Sequence, residues 1–398
     1  MNFVFISPHF PKSYWNFCDR LKKNGVNVLG LADTPYDELP WELKNCLTEY
    51  YKVNNLENYD EVVRAIGYFT HKYGKIDWVE SNNEYWLETD AQIRSDFNIT
   101  TGMKAHEISA FKSKSAMKEF YHKAGVPVAR HHMVTPNRED GFAFIEKVGY
   151  PVVVKPDIGV GAAKTYKLKC EQDVHNFYNE LPEIQYIMEE FIEGAIVSFD
   201  GISGPNCEVI FGTSNEFPPS IMDIVNNLDH VSYHTVKEVS PDLRSCGERV
   251  IKAFNARNRF FHLEFFRLTK AKEGLGNVGD IVALEVNMRA PGGYTPDMIN
   301  FANSVDVYQI WADMVAFGKT YVDLNKQHYF AVYCARRDGK NYLHTNDEIM
   351  ERYGDRMVMR ERMPEIFSVA MGNEMYTAKL DTEEEMNQYI DFVLGLAE

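Results

Sequence analysis

Cysteine is sparse in this chain of 398 residues, and the six thiols, Cys18, Cys46, Cys170, Cys207, Cys246 and Cys334, form no CxxC pair and no Cys/His group at zinc spacing. That scatter excludes a disulfide scaffold and a zinc ribbon and suits a reducing compartment. Long apolar runs are missing as well. No stretch is long enough to span a bilayer, and the N-terminus enters the strand-like VFIS without a basic region and apolar leader, so the expected location is cytoplasmic. Positive charge is in deficit, with 42 Lys and Arg against 58 Asp and Glu and a formal net charge of -16. A broad nucleic-acid or anionic-membrane surface is therefore not expected, although a local basic pocket for a nucleotide is compatible with this balance. Two common phosphate-binding patterns are also lacking. Pro8, His9, Phe10 and Pro11 stand where GxGxxG would follow the first strand, which argues against a dinucleotide site, and nowhere does GxxxxGK[ST] occur. No repeat, low-complexity tract or heptad array appears.

What is present is a soluble globular composition, 45% hydrophobic and 25% charged, in a chain long enough for two to four domains. Residues 2–7, 14–24 and 26–31 read as strand, helix and strand, and residues 62–73 and 76–80 repeat helix then strand. The first hundred residues thus predict a small parallel α/β domain. Glu84 follows a strand end, where open α/β sheets place ligands. It suits contact with a substrate amine or, equally, a helix N-terminus.

The chemical centre is expected at residues 261–293. Two runs rich in β-forming residues, 259–269 and 280–286, flank a glycine-rich connection at 270–279, which is a hairpin signature. Alternation puts Glu285 and Asn287 on one face, and antiparallel pairing can bring Glu264 beside them. Two carboxylates and an amide suit a hard cation such as Mg²⁺, which takes oxygen ligands from one or two carboxylates and from substrate phosphates. Arg289 adds a fixed cation for phosphate or carboxylate oxygens. An edge hairpin with solvated charges is the competing reading, weakened because both glutamates lie inside apolar runs.

Upstream, Ser113 or Ser115 can cap a helix ending at Gly125; Lys112, Lys114 and Lys118 near its start read, taken alone, as solvent-facing. A buried strand, 152–154, delivers Lys155 to a loop bearing Gly159 and Gly161, and such glycines let backbone N–H groups approach phosphates. Residues 186–201 form an apolar strand broken by an acidic turn; backbone around Glu190 and Ile192 can read an adenine edge. Residues 214–239 are irregular and aromatic, of a length typical of lids, and carry His230 and His234 in an extended segment to which no metal is assigned. Helices are expected at 243–255, 308–317 and 383–394.

Taken in order, the SKSAMKEF helix followed by AGVPV, the VVVKP strand, the EEFIEG turn and the closing LEVNMRAPGG resemble the ATP-grasp superfamily over residues 1–317, and more narrowly its carboxylate–amine ligase and carbamoyl-phosphate-synthase-like branch. The resemblance implies a Rossmann-like pre-ATP-grasp domain at 1–104, a small ATP-grasp lobe at 105–185, a large lobe with the metal site at 186–318 and a C-terminal covering lobe at 319–398, together an α/β and α+β multidomain chain. It implies that Lys114 and Lys155 reach ATP phosphates, that Gly159 and Gly161 lie in the phosphate loop, and that Glu189, Glu190 and Ile192 hold adenine. Glu264, Glu285 and Asn287 match magnesium ligands, with Mn²⁺ as the alternative ion, and Arg289 with Lys155 matches the catalytic cations. Three departures stand out. Ile196 occupies the position of the ribose-binding Glu, leaving ribose to Glu193 or another residue; Ser113-Lys114 replaces Asp-Lys; and the phosphate loop has fewer glycines. The implied activity is an ATP-dependent joining of a small-molecule carboxylate to an amine through an acyl phosphate, with amino-acid or peptide-like substrates, no nucleic-acid or membrane partner, and a homodimer allowed. Bicarbonate activation of the biotin-carboxylase type and a catalytically silent nucleotide sensor are the rival readings.

Overall fold

The computed structural model describes residues 1–159, 164–217 and 229–397. Its first unit is a four-stranded parallel sheet ordered Glu49–Lys52, Asn27–Ala32, Asn2–Ile6, Trp78–Glu80. Phe3 and Phe5 pack on one face with Phe17 and Trp78, while Val4 and Ile6 pack on the other with Leu29, Val62 and Phe69. Both faces are covered, as a parallel sheet with helical crossovers requires. The covering helices Trp15–Lys23 and Tyr59–Tyr73 bury Phe17, Cys18 and Leu21, and Val62, Ala65, Ile66 and Phe69, at helical spacing.

A second, antiparallel sheet is ordered His131–Met133, Tyr186–Glu190, Val152–Pro156, Tyr166–Leu168. Helices Arg138–Val148 and Glu171–Asn179 close its core around Phe144, Val152, Val154 and Phe177. Tyr186–Glu190 belongs to this small sheet, so the chain passes between the lobes just after Glu190 rather than at 186.

The third sheet runs Ile281–Asn287, Arg259–Leu268, Gly194–Ser203, Asn215–Phe217, Val231–Thr235, Phe330–Arg336, Glu374–Leu380, Met357–Arg362, with Val209–Thr213 paired to Gly194–Ser203. Here the structure departs from the expected covering lobe: the strands after 319 prolong this same sheet, because Phe330–Arg336 pairs with Val231–Thr235 along five residues. The expected irregular segment 214–239 likewise contains two of its strands, and alternation of Val231 and Tyr233 with Ser232 and His234 gives each face its side chains. Among the described residues no helix is long and apolar enough to cross a membrane.

The first domain is locked to the large sheet by buried charge. Arg94 donates to Glu80 at 2.9 Å, and Arg259 lies 3.6 Å from the same carboxylate, all three being essentially inaccessible. Burial would push the Glu80 pKa up, but the two guanidinium groups hold it below the ordinary carboxylate value. This lock sets the distance between the end of Trp78–Glu80, where Glu84 follows, and the hairpin that carries Arg289.

Candidate active site

The hairpin Arg259–Leu268 and Ile281–Asn287 is antiparallel with Glu264 directly opposite Glu285 and His262 opposite Asn287. Cross-strand partners share a face, so both carboxylates, the amide and the imidazole line one cavity of about 780 Å³. Lys155, at the end of Val152–Pro156, and Lys114, on the first turn of the helix Lys114–Ala124, enter it from the small-lobe side.

Contrary to the solvent-facing reading, Lys114 and Lys118 are buried. They lie four residues apart and so on one face of their helix. Lys114 approaches Glu285 at 3.2 Å and donates to the Gly159 carbonyl at 2.9 Å. Lys118 and Lys155 grip the two oxygens of Glu189 at 2.6 and 2.7 Å. Burial opposes all three charges. For Glu189 the flanking ammonium groups outweigh it and depress the carboxyl to about 2; for Lys155 burial is outweighed by Glu189, Glu285 and Glu264, and the pKa rises; for Lys118 burial wins and the pKa falls.

Ser113 caps the lysine-bearing helix by accepting from the Ala116 amide at 3.2 Å, and Gly125 ends it in the left-handed region at φ +64°. Asp157 reaches the same terminus: its carboxylate accepts from the Ser115 amide at 2.8 Å and from the Ser113 hydroxyl at 2.7 Å, and its carbonyl accepts from the Lys114 amide at 2.9 Å. A carboxylate at the helix N-terminus is thus supplied from the strand that carries Lys155, which compensates for Ser113 standing in place of Asp. It also holds the two lysine-bearing elements together.

Glu190 turns away from a ligand role in its side chain, which accepts from Arg130 at 2.7 to 3.0 Å and pairs with Lys272 at 3.2 Å. Ile192 packs among Ala129, Leu268, Leu275 and Val282, and residues Phe191 to Gly194 line the cavity. Ile196 lines it too, as does Glu193. Gly159 borders Lys114, whereas Gly161 lies outside the described residues. Arg289 lies 3.9 Å from Glu84, whose carboxyl burial pushes up against the opposing pull of Arg289 and Lys112.

His262 and Asp200 escaped the sequence reading, and Lys118 entered it only as solvent-facing. His262 contacts Glu264 at 3.2 Å and hydrogen-bonds Asp200, its register partner on Gly194–Ser203. Burial disfavours its imidazolium, but these carboxylates outweigh burial and raise the pKa to about 10. Position two before Glu264 on the same strand face was the available signal for His262; Lys118 had the four-residue spacing from Lys114; Asp200 had none, because strand order is needed to pair it. Glu264 itself stays below the ordinary carboxylate pKa, as His262, Arg289 and Lys155 overcome burial. Among the described residues no three His, Cys, Asp or Glu side chains gather as a self-sufficient metal site. The set instead fits a hard cation that arrives with phosphates and takes most of its oxygens from them.

No family model matches the chain. Over 247 residues it is 25% identical to the L-arginine-specific L-amino acid ligase of Bacillus subtilis, a match covering 60% of this chain and 57% of that protein, so the chain spans little more than half of the curated relative it matches. The fold resembles the L-amino acid ligase from Bacillus licheniformis, with a TM-score of 0.70 at 13% identity over 98% of this chain and 95% of the other. It also resembles the N5-carboxyaminoimidazole synthetase from Staphylococcus aureus complexed with ADP, with a TM-score of 0.67 at 14% identity over 97% and 95%. The chain has the ATP-grasp fold. The antiparallel small sheet bounds the cavity on one side and the hairpin face of the large sheet on the other. The cavity with its lysines and carboxylates is the gap between them.

Proposed function

We propose that this ATP-grasp chain is an ATP-dependent ligase joining a carboxylate to an amine, with amino-acid or peptide-like substrates. The observation that carries the reading is the direct opposition of Glu264 and Glu285, with Asn287, on the cavity face that Lys114 and Lys155 enter. Similarity to two L-amino acid ligases supports the substrate class.

In the proposed reaction a carboxylate oxygen of one substrate would attack the γ-phosphorus of ATP with ADP leaving, and the amine would then attack the acyl carbon and expel inorganic phosphate; a magnesium ion would supply charge neutralisation on the phosphates. Glu264, Glu285 and Asn287 would hold the cation. Lys155 and Lys114 balance phosphate charge, and positioning plus charge stabilisation are most of what catalysis requires in phosphoryl transfer. The apolar side chains of Ala129, Ile192 and Phe266, with the backbone after Glu190, form the end suited to an adenine. Arg289 and the backbone of Gly292 and Gly293 also border the cavity, and an anionic carboxylate would be met there.

Incubation with ATP, Mg²⁺ and pools of carboxylates and amines tests this by release of ADP and phosphate. Ligation requires that both a carboxylate and an amine be present. Release that depends on bicarbonate alone would favour carboxylation chemistry, and tight nucleotide binding with no release under any pool would favour a sensor.

A further inference from the structure

Across the strands Asn215–Phe217 and Val231–Thr235 the cavity wall changes character. That side is walled by Phe217, Val231, Tyr233 and Met371, and the polar side chains there are the hydroxyls of Tyr233 and Thr295, Ser232 turning to the other face of its strand. The Tyr233 hydroxyl is engaged with Thr295 at 3.2 Å, so the phenol turns its ring rather than its polar tip to the space. Phe217 and Tyr233 stack at 5.2 Å with 19° between planes, and Tyr333 backs Tyr233 at 4.9 Å. The wall is a stiff aromatic layer.

Met371 forms the roof. It ends the helix Glu365–Met371, and its carbonyl accepts from the Tyr333 hydroxyl at 2.7 Å while the Val369 carbonyl accepts from Arg337 at 2.8 Å. Gly372, at φ +82°, then turns the chain so tightly that a Cβ there would meet the Ala335 side chain at 2.6 Å. At Gly293, φ +62°, a Cβ would lie 2.5 Å from the Met371 methyl, so this methionine rests directly on the backbone bordering Arg289. The roof is anchored from behind and the floor beneath it carries no side chain.

We propose that this compartment receives the side chain of the carboxylate substrate and selects a bulky apolar or aromatic one, with Met371 setting its length. The inference rests on the ligase reading above and names its substrate class. A charged side chain placed there would lose water without gaining a partner among the lining residues, which costs more than an apolar group gains by entering. Methionine is suited to the roof because its unbranched thioether packs against rings of different shape.

The test uses the full chain with ATP, Mg²⁺ and hydroxylamine, which captures an acyl phosphate as a hydroxamate, and single carboxylates in turn: L-leucine, L-methionine and L-phenylalanine against glycine, L-glutamate and L-lysine. The apolar group should exceed the others in kcat/KM by at least ~10-fold, the scale on which an apolar pocket discriminates. Met371→Ala should move the preference toward L-tryptophan and Met371→Phe toward L-alanine and L-valine, each mainly through KM. Charged substrates matching the apolar ones, or an unchanged ranking in both variants, would overturn the inference while leaving the ligase reading intact. Absence of hydroxamate with every carboxylate, nucleotide binding being retained, overturns the ligase reading and the inference together.

Discussion

Glu189, expected beside adenine, pairs its two oxygens with the buried Lys118 and Lys155. With its carboxyl depressed from 4.5 to about 2 by Lys155 and Lys118 in the face of burial, it contributes stability that is present above about pH 4.5 and lost as the pH falls toward 2. The Tm of the native protein should therefore fall more steeply below pH 4.5 than that of Glu189→Gln, while at pH 7 the variant should be less stable by about 3 kcal/mol, since two buried ammonium groups lose their counterion. Parallel acid limbs by calorimetry would remove the pair from the stability account. In the proposed function Glu285 belongs to chemistry rather than stability. Glu285→Ala should lower ATP-dependent turnover at least ~100-fold, about 2.7 kcal/mol of barrier, with an unchanged circular dichroism spectrum. An unaltered rate would take Glu285 out of the site.

At the scale of elements, the helix Lys114–Ala124 is the piece whose placement matters most, because it brings Lys114 to the cavity and Lys118 to Glu189, and is pinned to the Lys155 strand through Asp157. Ser113→Ala removes its cap and should cost about 1 kcal/mol, read as a lower urea midpoint at constant m. The long strand Gly194–Ser203 depends on a small residue near its C-terminal end: a Cβ on Gly201 would lie 2.0 Å from the Phe211 carbonyl oxygen. Gly201→Ala should thus destabilise by at least ~2 kcal/mol. Much at this scale was legible in the residues. The final helix, Glu383–Leu394, follows from its acidic first turn and apolar spacing, and the lysine-bearing helix from its serine cap and glycine stop. The Glu264–Glu285 opposition follows from period-two alternation and a hairpin. Burial of Lys114 and Lys118 was not legible, because lysine composition reports an average preference while these two are neutralised by acids distant in sequence. The pairing of Val231–Thr235 with Phe330–Arg336 was equally hidden, since strand order across a hundred residues leaves no local pattern.

The whole molecule sets two sheets around one gap and fastens a third to them. The Glu80, Arg94 and Arg259 lock ties the first domain to the hairpin strand, and the segment after 319 completes the large sheet with its strands and supplies Met371 from the helix Glu365–Met371. The thiols report on this packing: five are buried and Cys170 is exposed, so a thiol reagent should label one cysteine rapidly in the native protein and all six after denaturation. Fast labelling of Cys18 or Cys334 in buffer would mean that the packing of the first domain or of the C-terminal strands is looser than described. The claim on which the account turns is that the carboxylate oxygen attacks phosphorus before the amine arrives. Transfer of ¹⁸O from a doubly labelled carboxylate substrate measures that step: the account predicts one labelled oxygen in each inorganic phosphate released together with product, whereas product formed alongside unlabelled phosphate would contradict it.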